Sequence, residues 1–310
     1  MNKRIAFIFP GQGAQYPGMG KDLYEKSDAA RKVFEKADKA LKFSLSQICF
    51  QGCEEEIKKT DLCQPAILTM SIAALEALKE SSQIAPQFSA GLSLGEYSAL
   101  VAAGVLTFED ALNIVRKRGE LMEMAAKQTQ GKMASIIGLD ETKVRGICKK
   151  NGCFVANLNC PGQIVISGEA KTIDIAAKEA EEQGASRVIE LAVSGAFHSP
   201  LMKTASDSLA QELNKYRFNT PKIDVVFNVT AGIERNPDKI KDNLLKQVAS
   251  SVLWEASMRL ILSQGVEAFI EVGPGKVLKG LMRRIEPSAA VYNIETSDSA
   301  KAVIDQLKSS

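Results

Sequence analysis

The stretch GLSLGEYSAL, residues 91–100, sets a glycine two places before and two places after Ser93. An apolar strand candidate precedes it at Phe88–Ala90. A helical pattern follows over Leu94–Ala103 and stops at Gly104. A strand that bends sharply into a helix leaves the residue at its apex clear of the sheet. The bend also brings neighbouring backbone very close, so glycine is needed at both flanking positions. Glycine is about 7% of residues, so chance frames roughly one serine in 200 this way. Context decides against chance here, and Ser93 reads as a nucleophile in an α/β fold. The same bend puts the Leu94 N–H at a helix start, where free donors favour negative charge. That placement suits the oxyanion of an acyl-transfer intermediate.

Length and composition bound the rest. The 310 residues allow one large domain or two smaller ones. A net charge of +2 supplies no overall field for nucleic acid or a membrane surface. Six cysteines, with no C-x-x-C pair and one distant histidine, give no metal-site spacing. They read as reduced thiols of a cytoplasmic protein. The N-terminal apolar run is too short for a secretion signal, and no apolar run approaches the length of a membrane span.

Along the chain, Lys3–Phe9 reads as a buried strand ended by Pro10-Gly11. Pro65–Glu80 reads as a helix with proline at its start. Thr107 and Asp110 resemble a capping box opening a helix that reaches about Ala126. Residues 132–193 then follow the order β-α-β-β-α-β, the ferredoxin-like pattern. We therefore expect a discontinuous large subdomain, 1–126 and 197–310, with a small subdomain, 127–196, inserted in it. Beyond the insert, a helix follows Ser199-Pro200, Ile223–Val229 is a strand, Asn243–Gln264 is mostly helical, and Ala268–Val272 is a strand.

A serine hydroxyl is a weak nucleophile until a base takes its proton. His198 is the only histidine, and it lies in a loop between a strand and a helix start. It is the candidate base. Neither Asp207 nor Asp224 has the setting of a triad acid, so a backbone carbonyl is an equal candidate for holding the imidazole. At 100° per residue, Arg118 falls among Ala111, Ile114, Val115, Leu121 and Met122 on an apolar helix face. An inward guanidinium needs a partner. That partner is either an internal acid or the carboxylate of a substrate. The glycine-rich start, FPGQGAQYPGMGK, fails both nucleotide-binding spacings, because Tyr16 and Gln15 stand where glycine is required. It reads better as a tight loop offering the Gln12 N–H as a second oxyanion donor.

The motifs FPGQGAQ, QPAIL, GLSLGEYSAL, the RG of RKRGE, GAFHSPLM and EVGPGKVL occur in this order along nearly the whole chain. In this the chain resembles the malonyl-CoA:acyl-carrier-protein transacylases. The resemblance implies an α/β-hydrolase-like large subdomain with a ferredoxin-like small one. It implies Ser93 as the acylated serine, His198 as its base and Arg118 as the malonate clamp. Gln12 and Leu94 would be the oxyanion donors, Gln64 and Met122 would line the cleft, and the Leu253 carbonyl would hold the histidine. By analogy with related polyketide acyltransferases, Phe197 beside the base would favour malonyl over branched acyl groups. The implied partners are malonyl-CoA and acyl carrier protein, in fatty-acid or polyketide synthesis, by a monomer using no metal or bound cofactor. Lys276, Lys279, Arg283 and Arg284 would form either a solvated basic face or a dock for the acidic carrier protein. A serine hydrolase and a nucleotide-binding module are the rival readings. The chain departs from the family at Leu92, where histidine is common.

Overall fold

The computed structural model describes residues 3–193 and 195–308. Among the described residues, ten strands occur in chain order: β1 Ile5–Phe9, β2 Phe88–Gly91, β3 Gly131–Ile137, β4 Phe154–Cys160, β5 Gln163–Glu169, β6 Arg187–Glu190, β7 Asp224–Phe227, β8 Gly232–Ile233, β9 Ala268–Val272 and β10 Ala290–Ile294. They form two sheets. The larger has the order β10-β9-β1-β2-β7-β8, parallel throughout except for the edge pair β7–β8. The smaller has the antiparallel order β4-β5-β3-β6. Both sheets match the architecture expected from the sequence.

In the large sheet, β1 and β9 are buried along their whole length. A parallel sheet covered by helices on both faces needs such continuous apolar strands. Open parallel sheets present functional groups where their strands end. Here the chain leaves β1 into the loop of Gln12, leaves β2 into Ser93 and leaves β7 into Asn228. Three neighbouring strands thus deliver three residues to one edge.

The small sheet has its own core, including Ile136, Val144, Ile147, Ile166 and Ile173. It is tied to the large sheet by the segment 249–253. The Leu158 N–H donates to the Val252 carbonyl at 2.9 Å, and the Val252 N–H donates to the Ala156 carbonyl at 2.8 Å.

Several elements differ from expectation. The helix expected from Pro65 starts five residues earlier and runs Thr60–Ser81, with Pro65 inside it. This helix is long and apolar enough to cross a membrane by composition, contrary to the sequence reading, but most of it is buried in the core. The helix Phe108–Thr129 is capped by the Thr107 hydroxyl as expected, and it runs through the boundary expected at 126. The helix expected over Asn243–Gln264 is two helices, Pro237–Val248 and Trp254–Ser263. The sequence reading assigned nothing to 21–57, which holds four helices, or to β10 and the last helix, Ser297–Lys308.

Candidate active site

Ser93 sits at the bend after β2 with φ 51°, a left-handed conformation rare outside glycine. A Cβ on Gly91 would lie 1.9 Å from the Gly95 carbonyl carbon, and one on Gly95 would lie 2.1 Å from the Phe9 oxygen. Both glycines are therefore forced by backbone contact. A serine held at such a φ costs on the order of 1–3 kcal/mol, so its surroundings must fix it. They do so through groups that sequence reasoning missed. The Ser93 N–H donates to Asn228 Oδ1 at 2.6 Å, and Gln247 Nε2 donates to the Ser93 carbonyl at 3.0 Å. Asn228 Nδ2 also donates to the Gly91 carbonyl at 2.7 Å, and the Asn228 N–H donates to Glu96 Oε2 at 2.7 Å.

His198 also has a positive φ, 56°, and its Nε2 lies 2.8 Å from Ser93 Oγ. Its Nδ1 lies 2.8 Å from the Gln247 carbonyl. A carbonyl can only accept, so Nδ1 carries the hydrogen of the neutral ring and Nε2 is free to accept from the serine. Burial pushes the imidazole down to about 4, the nearby Arg118 charge adds to this, and backbone bonds to Gln247 and Ser250 oppose it. The ring is therefore neutral at physiological pH. The expectation that the Leu253 carbonyl holds the histidine is wrong. Leu253 caps the helix Trp254–Ser263, and its carbonyl is taken by the Ser257 N–H and hydroxyl. The carbonyl that serves is six residues earlier, at Gln247. Asp207 and Asp224 pair instead with Lys203 and Arg235.

Arg118 is buried and makes no ion pair with an acid among the described residues. Its Nη1 donates to Gln64 Oε1 at 2.8 Å. Its Nη2 donates to Gln247 Oε1 at 3.0 Å and to Ser93 Oγ at 3.1 Å. The guanidinium also lies 5.7 Å above the Tyr97 ring. Its approach depends on Gly119, where a Cβ would meet the Thr60 carbonyl oxygen at 2.7 Å.

These side chains face a cavity of about 240 Å³ between the two sheets. Met122 lines it, as expected, and so do Gln12, Leu94 and Phe197. Neither the Gln12 nor the Leu94 N–H donates to a group among the described residues. Gln64 does not line the cavity; it is fully buried behind Arg118 and braces it. Leu92 lines the cavity as an apolar wall. The small sheet contributes Ser135, Asn157, Asn159 and Gln163. Ser135 Oγ and Asn159 Oδ1 are buried there without partners.

Across the mouth lies the short helix Val277–Ile285, whose Val277 and Leu281 line the cavity. Arg283 and Arg284 on it are exposed, and Lys279 is half-buried. Lys276 lies just before it and pairs with Glu295 at 3.3 Å.

Comparison with known proteins agrees with this geometry. A family model described as acyl transferase domain matches residues 6–300. The malonyl CoA-acyl carrier protein transacylase of Bacillus subtilis (strain 168) is 46% identical over 310 residues, covering 98% of each chain. That of Staphylococcus aureus (strain MRSA252) is 44% identical, covering 96% of this chain and 97% of its own. The solved malonyl CoA-acyl carrier protein transacylase from Coxiella burnetii superposes with a TM-score of 0.97 at 36% identity, covering 99% of this chain and 98% of that one. A malonyl-transacylase solved in complex with a type II PKS acyl-carrier protein superposes with a TM-score of 0.95 at 38% identity, covering 98% and 99%. The chain belongs to the acyl transferase domain family and, within it, to the malonyl CoA-acyl carrier protein transacylases.

Proposed function

We propose that this protein carries a malonyl group from malonyl-CoA to the phosphopantetheine thiol of acyl carrier protein, through malonyl-Ser93, in fatty-acid biosynthesis. One observation carries the reading: Ser93 Oγ is shared between a neutral imidazole at 2.8 Å and a guanidinium at 3.1 Å. The first group supplies a base for acyl transfer. The second supplies a cation where a dicarboxylic acyl group needs one.

In the first half-reaction Nε2 takes the Ser93 proton while Oγ attacks the thioester carbonyl. The Gln12 and Leu94 N–H groups meet the developing oxyanion. The C–S bond breaks, and the proton on Nε2 passes to the CoA sulfur. In the second half, the carrier thiol gives its proton to Nε2, attacks the ester carbonyl and releases Ser93 with its proton restored. Arg118 holds the malonyl carboxylate and so orients the acyl group. Phe197 fills space beside the base, and a pocket of this kind discriminates by about 1–3 kcal/mol per methyl group. Ser135 and Asn159 line the same cavity and give it polar side chains that suit the amides of a pantetheine arm.

Arg284 falls on the cavity side of the helix Val277–Ile285 with Val277 and Leu281, at 100° per residue. This helix, with Lys276, Lys279 and Arg283, is the surface we assign to an acidic carrier protein. The protein acts as a cytoplasmic monomer, and the side chains named here carry the chemistry without a metal or bound cofactor. A second reading, supply of malonyl groups to a polyketide carrier protein, draws support from the likeness to a transacylase bound to such a carrier.

The test is transfer itself. Incubation with malonyl-CoA and holo acyl carrier protein should give malonylated carrier faster than free malonate; malonate as the main product would make the protein a hydrolase. Replacing Arg118 by Ala should cut malonyl transfer about 100-fold, the worth of a buried charged hydrogen bond. Acetyl transfer should fall far less, and equal losses in parallel assays would remove the clamp role.

A further inference from the structure

The bonds around Arg118 leave a question of supply. Nη2 has two hydrogens, and both are engaged, by Gln247 Oε1 and by Ser93 Oγ. Nη1 has two, and one is held by Gln64 Oε1. Nε–H is buried without a partner, but a carboxylate taking two parallel bonds, from Nη1 and Nη2 or from Nε and Nη2, needs an Nη2 hydrogen and must therefore displace a present acceptor. Among those three, only Ser93 Oγ changes chemically during the reaction. Once acylated it becomes an ester oxygen, a far weaker acceptor than a hydroxyl or alkoxide, and its N–H is released.

We infer that Arg118 passes one Nη2 hydrogen from Ser93 Oγ to the substrate carboxylate, and that the Gln247 side chain is the positioning residue that holds the guanidinium in register for this exchange. The inference rests on the malonyl-transfer reading above. Gln247 is fully buried, and its amide spans the two partners. Oε1 accepts from Nη2 at 3.0 Å, and Nε2 donates to the Ser93 carbonyl at 3.0 Å. Its main-chain carbonyl meanwhile holds His198 at 2.8 Å. One residue thus fixes base, nucleophile and clamp relative to each other: its carbonyl holds the base, and its side chain joins the clamp to the Ser93 backbone. Gln64 anchors Nη1 from the other side, so once Ser93 Oγ is an ester, losing Gln247 Oε1 leaves the guanidinium free to pivot about that remaining bond.

Two substitutions separate the side chain from the carbonyl. Gln247→Met keeps the length and the backbone carbonyl but removes every bond of the side-chain amide, the 3.5 Å one to Asn228 Oδ1 included. Gln247→Glu keeps an acceptor for Arg118, loses the donor to Ser93 and adds a negative charge that competes with the substrate carboxylate. The readout is the ratio of kcat/KM for malonyl-CoA to that for acetyl-CoA, with a thermal melt confirming folding. Both rates fall in both variants, but the malonyl-to-acetyl ratio falls at least tenfold in the Met variant. In the Glu variant it falls further, with a raised KM for malonyl-CoA. If both rates fall equally in the folded variants, or the ratio is unchanged, Gln247 is only scaffolding and the inference fails. If the Met variant does not fold, the Glu variant decides. A wild-type protein that transfers no malonyl group overturns the functional reading first, and this inference with it.

Discussion

Asn228 shows how much of the site depends on residues that take no part in the chemistry. Its side chain accepts from the Ser93 N–H and donates to the Gly91 carbonyl, so it staples both limbs of the bend. Asn228→Ala leaves a buried N–H and a buried carbonyl unpaired, at roughly 1–3 kcal/mol each. We expect a lower melting temperature and acylation of Ser93 slowed at least tenfold, with malonyl and acetyl groups affected alike. A variant with normal kinetics would show that the glycine-framed bend holds itself. Ser93, His198 and Arg118 were each legible because each broke a local pattern: framing glycines, a lone imidazole, a charge on an apolar stripe. Gln247 carried the same signal as Arg118. It lies on the face of Ile240, Asn243, Leu244 and Val248, at helical spacing on a buried stripe. Asn228 carried none, since a polar residue just past a strand is ordinary.

At the scale of elements, the site is set by how closely two helices approach. Thr60–Ser81 brings Gln64 and Phe108–Thr129 brings Arg118, and Gly119 lets the second helix rest on the first turn of the other. Gly119→Ala would press a methyl group to 2.7 Å from a backbone oxygen that cannot move alone. The helices must part, at a cost of about 1–3 kcal/mol. The expected result is a reduced melting temperature together with malonyl transfer reduced more than acetyl transfer. Equal retention of both activities would show that the helix spacing does not tune the clamp. Element reading failed where tertiary contacts overrode local signals. Pro65 looked like a helix start, yet packing carries the helix five residues past it toward the N-terminus. The continuous pattern over 243–264 hid a break at 249–253, because Val248, Val252 and Trp254 are all apolar and buried. That break pairs with β4, and its hydrogen bonds depend on the other subdomain. The Leu253 carbonyl is what the family resemblance implies, and a helix drawn straight through the segment offers nothing to correct it to Gln247, six residues upstream.

For the whole molecule, three buried ionisable groups set opposing pH demands. His198 sits at about 4, so between its ordinary 6.5 and that value the unfolded chain binds more protons, and stability falls with acid. Burial raises Glu96 to about 8, against the bonds from Asn228 and Gln247 and the Arg118 charge. Burial likewise raises Glu271 to about 7, although its carboxylate accepts from the N–H groups of Leu278 and Lys279. For these acids the folded chain holds the proton more tightly. Their stabilising contribution is full below 4.5 and is lost as pH rises through 7 to 8. Between pH 6.5 and 8 the unfolded imidazole gives up the last of its proton, a small rise in stability that opposes the larger loss from the carboxyls, so the carboxyls dominate the slope. Chemical denaturation across that window should show wild-type stability declining by about 1–2 kcal/mol. Glu96→Gln, which keeps an acceptor for the Asn228 N–H, should flatten most of the decline. An unchanged slope would mean that Glu96 is already ionised in the folded protein.

The central claim is that Ser93 becomes a covalent ester. The most direct measurement is the intact mass of the protein quenched shortly after exposure to malonyl-CoA, followed by peptide mapping. The account predicts a mass gain of one malonyl group, located on the peptide containing Ser93, absent from Ser93→Ala and lost on adding holo acyl carrier protein. Malonylation at another residue, or an unmodified protein that still malonylates the carrier, would contradict it.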